Sequence, residues 1–270
     1  MLLTLRHETS YAYSEPIAYA IQSLRLTPRP YDGLALIAWR VRGTSKHELP
    51  SYTDGFGNLV HSHSVNRLHR GYRIIVEGKV ETRDSQGLVR GAPEPLPPGF
   101  YLRPTPLTLA SAAITELAGR GNAAPGSVDW AAALMHAVRD RIDYKPGLTD
   151  ARTKAEEALE KGVGVCQDHA HVFIAAARAL GVPARYVSGY LWTGTSGGVE
   201  EASHAWAEAF LDGLGWVGFD PSNRTQPTES YIRLAVGLDY HSAAPVRGIR
   251  RGSGEESLAV SLRVTAAQEQ

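Results

Sequence analysis

The stretch Gly162-Val-Gly-Val-Cys166-Gln-Asp-His-Ala-His-Val-Phe-Ile-Ala-Ala-Ala-Arg-Ala-Leu-Gly181 is the most informative part of the chain for its fold. Apolar residues recur at helical spacing after Cys166, and Gly181 followed by Pro183 ends the pattern, so the sequence predicts a helix over residues 166–180. The two glycines before the cysteine permit a tight turn. The cysteine therefore falls in the first turn of the predicted helix.

A cysteine at this position is suited to acyl transfer. Unpaired backbone N–H groups and the positive end of the helix dipole favour a thiolate at Cys166. The same N–H groups can stabilise the oxyanion that forms when sulfur attacks a carbonyl. Cys166 is the only cysteine of the chain, which excludes an intrachain disulfide and multi-cysteine zinc motifs. The alternative is a buried cysteine with a purely structural role.

A cysteine nucleophile requires a base and a group that orients the base. His204 opens one predicted strand and Asp220 closes the next, so a hairpin can bring both side chains to one edge of a sheet. A two-residue turn would direct Asp220 to the wrong face. We therefore predict a three-residue loop, 212–214, or an equivalent bulge, which pairs Asp220 with Trp206 on the face of His204. The alternatives are a structural edge-strand histidine and, before Pro221, a turn-forming aspartate.

Composition limits the class of protein. Hydrophobic residues make up 43% of the 270 residues and charged residues 21%, which is typical of a globular chain with a substantial core. Lys plus Arg (28) equals Asp plus Glu (28), so no overall field attracts nucleic acid or an anionic membrane. We find no signal-peptide pattern and no apolar stretch that could span a bilayer. We therefore expect a cytoplasmic location and neither a nucleic-acid nor a membrane partner.

The sequence pattern changes near residue 95. Before it, short alternating segments separated by turn residues predict an all-β unit. The Pro- and Gly-rich run 91–99 is typical of a linker. After it, Ala-rich segments predict helices, one with Ser127 as N-cap, and aromatic segments predict strands. The predicted fold class is α+β, with a β-sandwich-like N-terminal domain (residues 1–95) followed by an α+β catalytic core (residues 96–270). The predicted strands are 3–13, 23–28, 34–41, 59–65, 72–82, 184–192, 203–211, 216–220 and 258–265, and the predicted helices are 107–117, 127–141, 153–161 and 166–180.

The chain resembles the bacterial transglutaminase-like superfamily in a series of motifs that follow one another in order. They are Gly164-Val-Cys166-Gln-Asp-His-Ala-His171, Ala179-Leu-Gly-Val-Pro-Ala-Arg-Tyr-Val-Ser-Gly-Tyr190, His204-Ala-Trp206 and Gly215-Trp-Val-Gly-Phe-Asp220-Pro-Ser-Asn223. The flanks Leu5–Ser14, Gly237–Tyr240 and Pro245–Gly248 resemble the same family. The resemblance implies a papain-like α+β core behind a β-rich N-terminal domain. It also implies that Cys166, His204 and Asp220 act as nucleophile, base and orienting acid.

Further residues are candidates for stabilising the oxyanion or positioning the substrate. Gln167 follows the nucleophile, and its backbone N–H is suitably placed to donate to the oxyanion. Tyr144 resembles an aromatic residue that the family places near the site, and its hydroxyl is a candidate oxyanion donor; packing is the alternative. Trp206 is a candidate for the wall of an acyl-donor groove or for the core. His169 stands where family members often carry an aromatic residue.

These residues predict cysteine-dependent acyl transfer on amide bonds through an acyl-enzyme intermediate. We favour hydrolysis, as in a peptidase or amidase, over cross-linking of glutamine to an amine. The expected substrate is a protein or peptide with a glutamine or amide donor, and an amine acceptor is left open. This chemistry requires no cofactor or metal, and His169 and His171, two apart on a helix, cannot readily share an ion. The remaining alternatives are transfer from a thioester cofactor and a non-catalytic interaction module. Residues 193–201 are a candidate lid over the site. The composition does not indicate an oligomeric state.

Overall fold

A computed structural model describes residues 1–44, 48–120, 123–194 and 203–266. The strands are β1 (Leu2–Ile17), β2 (Tyr19–Thr27), β3 (Leu34–Arg42), β4 (Ser51–Thr53), β5 (Leu59–Val65), β6 (His69–Thr82), β7 (Leu88–Val89), β8 (Asp143–Tyr144), β9 (Val163–Gly164), β10 (Ala184–Leu191), β11 (Ser203–Leu211), β12 (Gly215–Phe219), β13 (Tyr231–Gly237), β14 (Val246–Arg251) and β15 (Glu256–Ala266). The helices are α1 (Ala112–Ala118), α2 (Val128–Arg141), α3 (Ala155–Lys161), α4 (Cys166–Ala179) and α5 (Tyr240–Ala243). The part of the chain described here contains no helix both long and apolar enough to cross a bilayer.

The N-terminal region forms a β-sandwich, as the alternating pattern predicts. Its two four-stranded sheets have the orders β15-β1-β6-β3 and β14-β2-β5-β4. Every second residue of β6 is buried from Tyr72 onwards, and Ile74, Val76 and Val80 face the interior between the sheets. Period-two burial of this kind leaves one face of each strand for the core and the other for solvent.

The C-terminal strands return to this sandwich. β15 pairs with β1 along its whole length, from Leu3 opposite Ala266 to Tyr13 opposite Glu256, and β14 pairs with β2. The strand predicted at 258–265 is therefore present, but it lies with the N-terminal sheets, whereas the expected division placed it in the 96–270 core. The physical reason is that β1 and β2 would otherwise present unpaired backbone edges, which the returning chain satisfies.

The remaining long strands form a five-stranded sheet of order β13-β10-β11-β12-β7, and helix α4 packs against β10 and β11. Helices α1, α2 and α3 cover the outer sides of α4. Every residue of α4 from Asp168 to Arg178 is buried, as expected for a helix enclosed on all sides. The segments that face each other are rich in alanine: Ala170, Ala175, Ala176 and Ala177 on α4, and Ala205, Ala207 and Ala209 on β11. Small side chains let the helix approach the sheet closely.

The ends of α4 form as the sequence predicts. The carboxylate of Asp168 accepts the backbone N–H of Val165 at 2.8 Å and the Thr149 hydroxyl at 2.7 Å, so Asp168 is the capping partner of the first turn. Gly181, with a φ of 77°, follows the helix in the left-handed conformation that glycine adopts readily. Ser127 likewise caps α2 by accepting the backbone N–H of Trp130.

The sandwich is joined to the five-stranded sheet by buried polar contacts. The side chain of Asn58 pairs with the backbone of Val236 on edge strand β13, donating to its carbonyl and accepting its N–H, both at 2.8 Å. His7 of β1 lies 2.7 Å from the hydroxyl of Tyr190 on β10. Asn58 therefore satisfies both backbone polar groups of Val236 on the edge strand β13.

A buried group of charged side chains ties the linker to the same sheet. Arg185 donates to both carboxylate oxygens of Glu94 in the linker, at 2.6 and 2.9 Å, and to Glu208 at 2.6 Å. Arg233 donates to Glu208 at 2.7 Å. Glu208 and Arg185 are both 0% exposed, so each charge requires the others to remain in the interior.

Arg178 connects the C-terminal end of α4 to its surroundings. Its guanidinium donates at 2.8 Å to the carbonyl oxygens of Tyr101, Ala184 and Leu238 and to the hydroxyl of Thr108. The segment after the linker, β10 and the segment after β13 therefore meet on one side chain.

We expect Arg178→Met to lower the free energy of unfolding by about 3 kcal/mol, because methionine fills similar volume but leaves these buried acceptors without donors. Urea unfolding followed by circular dichroism measures the change. The control is Arg120→Met, which removes only an exposed pair with Glu116 and should cost less than about 0.5 kcal/mol. Equal effects of the two substitutions would contradict the role of Arg178.

Candidate active site

Cys166 is the first residue of α4 and is partly exposed. The turn before it depends on two glycines. Gly162 ends α3 in the left-handed region at a φ of 64°, and a Cβ on Gly164 would lie 2.7 Å from the Cβ of Asp168. The first N–H groups of a helix have no intrahelical partner, so those of Cys166 and Gln167 lie beside the thiol.

The hairpin that carries His204 and Asp220 has the predicted three-residue loop. Leu211 pairs with Gly215 and Ala207 with Phe219, so residues 212–214 form the loop and Asp220 falls opposite Trp206. His204 Nε2 and Asp220 Oδ2 are 2.6 Å apart. The register prediction is confirmed.

The Cys166 thiol also interacts with the His204 ring and contributes to raising its pKa. Because Nε2 of the ring is directed at Asp220, Nδ1 is the nitrogen left to interact with the sulfur. The structure therefore brings together the three residues that the sequence analysis selected, in the order thiol, imidazole and carboxylate.

The electrostatics of this group follow from burial and mutual attraction. Burial raises the pKa of Asp220, which is 0% exposed, but the charge of His204 and hydrogen bonds from His204, Asn223 and Tyr231 outweigh it and hold the pKa below its usual value. Burial lowers the pKa of His204, yet the carboxylate of Asp220 and the contact with Cys166 raise it to about 10. The ring is therefore an imidazolium at neutral pH.

Two residues at the site were not selected from the sequence. The Tyr231 hydroxyl donates to Asp220 Oδ2 at 2.8 Å, and the side-chain amide of Asn223 donates to the same oxygen at 2.7 Å. Asn223 stands in the quoted motif Asp220-Pro-Ser-Asn223, which was a signal without an assigned role. Tyr231 lies on β13, a strand that the sequence analysis did not predict.

The remaining predicted residues have different positions. The Gln167 side chain donates to the Asp150 carbonyl at 3.2 Å, so its backbone N–H is the group near the sulfur. Tyr144 is 44% exposed and pairs with Gly164 at the edge of the site; its role at the oxyanion stays a prediction. Trp206 is only 2% exposed and stacks beneath His204 at a centroid distance of 6.2 Å. Of the two alternatives for Trp206, this burial favours the core, and its role at the substrate stays a prediction.

His169 and His171 point to different parts of the chain. The ring nitrogens of His169 lie 2.8 Å from the Val165 carbonyl and 2.9 Å from the Ile142 carbonyl, which links the turn before Cys166 to the end of α2. Nε2 of His171 accepts the backbone N–H of Tyr240. Most of the candidate lid, residues 193–201, lies outside the described part of the chain.

This combination of fold and site is shared with known proteins. Residues 115–221 match the Transglutaminase-like superfamily, and residues 3–81 match the Bacterial transglutaminase-like N-terminal region. Uncharacterized protein ML0607 of Mycobacterium leprae is 32% identical over 277 residues, which cover 96% of this chain and 96% of that protein. Uncharacterized protein Rv2569c of Mycobacterium tuberculosis is 30% identical over 279 residues, covering 93% and 88%.

The fold is also that of a crystal structure described as "a Putative Cysteine Protease from Cytophaga hutchinsonii". It superposes with a TM-score of 0.76 at 20% identity, over 100% of this chain and 92% of that one. The chain therefore belongs to the transglutaminase-like superfamily. Within it, the chain carries the bacterial N-terminal β region in front of the core.

We expect the His204 ring to titrate at about pH 10, far above the unfolded value of about 6.5. Because the folded pKa is the higher one, the stabilisation is fully present below about pH 6.5 and is lost as the pH rises through about 10. NMR titration of the ring protons, assigned with His204→Gln, measures this. Asp220→Asn should bring the titration down towards the usual range, and an unchanged midpoint in that variant would contradict the pairing.

Proposed function

We propose that the protein catalyses cysteine-dependent acyl transfer on amide bonds through a triad of Cys166, His204 and Asp220. The supporting observation is that one imidazole, His204, interacts with the Cys166 thiol and lies with Nε2 2.6 Å from the buried carboxylate of Asp220. A non-catalytic module would have no need of a charged histidine held beside the only thiol. Membership of the superfamily supports an enzyme in general, and the triad gives that enzyme a specific chemistry.

In the first half-reaction, the Cys166 thiolate attacks the carbonyl carbon of the amide and forms a C–S bond. The backbone N–H groups of Cys166 and Gln167 stabilise the resulting oxyanion. As the tetrahedral intermediate collapses, the C–N bond breaks and the His204 imidazolium gives its proton to the departing amine or ammonia. Asp220 keeps the ring oriented through Nε2 and stabilises its charged form.

In the second half-reaction, the neutral His204 takes a proton from water as the water oxygen attacks the thioester. The C–S bond breaks, the carboxylic acid leaves, and the thiolate and imidazolium are restored. We favour water as the acceptor because it needs no binding site, whereas a lysine amine does. The Cytophaga protein's description as a cysteine protease supports the same choice. The proposed substrate is a protein or peptide with a glutamine or backbone amide donor, and the cytoplasmic location stays a prediction.

Mass spectrometry of glutamine-containing peptides, incubated with and without a primary amine, tests the reaction. We expect deamidated or cleaved peptide in water, whereas a dominant amine adduct would instead support cross-linking. Cys166→Ala should lower turnover by at least about a thousandfold while the fold is retained, because no other thiol exists to form the acyl-enzyme. Activity retained in a folded Cys166→Ala protein would contradict the proposal.

The lone thiol also allows a test that needs no substrate. Iodoacetamide reacts with thiolate, so the wild-type protein should be alkylated rapidly at about pH 6, where an ordinary thiol is almost wholly protonated. His204→Gln removes the imidazolium and should lower this rate at least about tenfold, with little change at about pH 9.5. Equal rates at the lower pH in the two proteins would show that His204 does not activate the sulfur.

A further inference from the structure

We propose that Tyr231 and Asn223 form a clamp on Asp220 and act as positioning residues, holding the carboxylate so that Oδ2 faces His204. The inference rests on the proposed function, because it assigns how the orienting acid of the triad is itself oriented. Both residues act on the reaction only through Asp220 and His204.

The Tyr231 half of the clamp is rigid. Its ring is 4% exposed and meets the ring of Trp206 edge-on, with centroids 5.4 Å apart and an interplanar angle of 86°. It also meets the His204 ring at 5.9 Å and 60°. With the ring fixed on two sides, the hydroxyl has a defined place 2.8 Å from Asp220 Oδ2.

The Asn223 half approaches from the solvent side. Its backbone N–H donates to Asp220 Oδ1 at 3.3 Å while its side-chain amide donates to Oδ2 at 2.7 Å, so one residue holds both oxygens. The turn is closed by backbone hydrogen bonds between Asp220 and Thr225. Arg224 within it has a φ of 56°, a conformation that is costly for a residue with a side chain. The turn that directs Asn223 at the carboxylate therefore contains an unfavourable backbone conformation at Arg224.

The clamp has two effects on the buried carboxylate of Asp220: it restricts rotation and it stabilises the charge. A carboxylate can rotate about its Cβ–Cγ bond, and donors on both oxygens restrict that rotation. Charge-assisted hydrogen bonds also stabilise the anion where water cannot reach it. Burial and then the charge of Asp220 raise the pKa of Tyr231, so its hydroxyl stays protonated and remains a donor throughout the working pH range.

The experiment measures alkylation of Cys166 by iodoacetamide at about pH 6 and about pH 9.5 in the full-length protein. The rate at the lower pH divided by the rate at the higher pH reports how well the imidazolium stabilises the thiolate. A change that only limits the access of iodoacetamide to Cys166 lowers both rates alike and leaves this ratio unchanged. The variants are Tyr231→Phe, which keeps the packed ring, Asn223→Ala, which alters an exposed residue, and the double variant. Asp220→Asn is the reference. Tyr190→Phe is the matched control, since it removes another buried phenol hydroxyl, which contacts His7 instead.

We expect each single substitution to lower the ratio about three- to tenfold, the range that corresponds to losing one hydrogen bond to a charged group. The double variant should approach Asp220→Asn, and Tyr190→Phe should stay within about twofold of wild type. Wild-type ratios in both single variants, with a lowered ratio in Asp220→Asn, would overturn the clamp and leave the proposed function standing. A wild-type ratio in Asp220→Asn would overturn both. If Tyr231→Phe fails to fold, Asn223→Ala decides by itself.

Discussion

The close packing of helix α4 on strand β11 is the constraint on which the site depends. Cys166 begins the helix and His204 lies near the start of the strand, so the separation of thiol and imidazole is set by how nearly the two elements approach. Alanines line the segments that face each other, and bulkier side chains would move the helix away from the sheet. The geometry of the thiol and the imidazole is therefore a consequence of core packing as much as of local chemistry.

The charges of Asp220 and His204 are each stabilised by the groups that contact them. Asp220 is buried and anionic because donors surround it, and its charge in turn raises the pKa of His204 to about 10. The ring then stands as an imidazolium beside the sulfur. Tyr231, which completes the surroundings of Asp220, comes from β13, and Asn58 of the N-terminal region pairs with the backbone of Val236 on that strand. The sandwich thus supports the sheet that carries His204 and Tyr231.

The two regions of the chain are held together at several points. Arg178 links α4 to Tyr101, beyond the linker, and to β10. Glu94 of the linker pairs with the buried Arg185, and the C-terminal strands complete the sandwich. Because the chain leaves the sandwich, forms the helices and five-stranded sheet, and then returns, neither end of the core is free to move independently. We infer that the N-terminal region braces the core in addition to any part it has in binding.

Local sequence by itself determined the helix after Cys166, its C-terminal end at Gly181 and the Ser127 cap, because spacing and capping chemistry act over a few residues. The three-residue loop before Gly215 followed from placing His204 and Asp220 on one face of the hairpin. Local sequence also selected Cys166, His204 and Asp220. The tertiary structure alone decided that residues 246–266 complete the N-terminal sheets, that Trp206 lies beneath His204, and that Tyr231 reaches Asp220. These features depend on pairing and burial between segments far apart in the chain, and no local pattern specifies which distant segment will meet which.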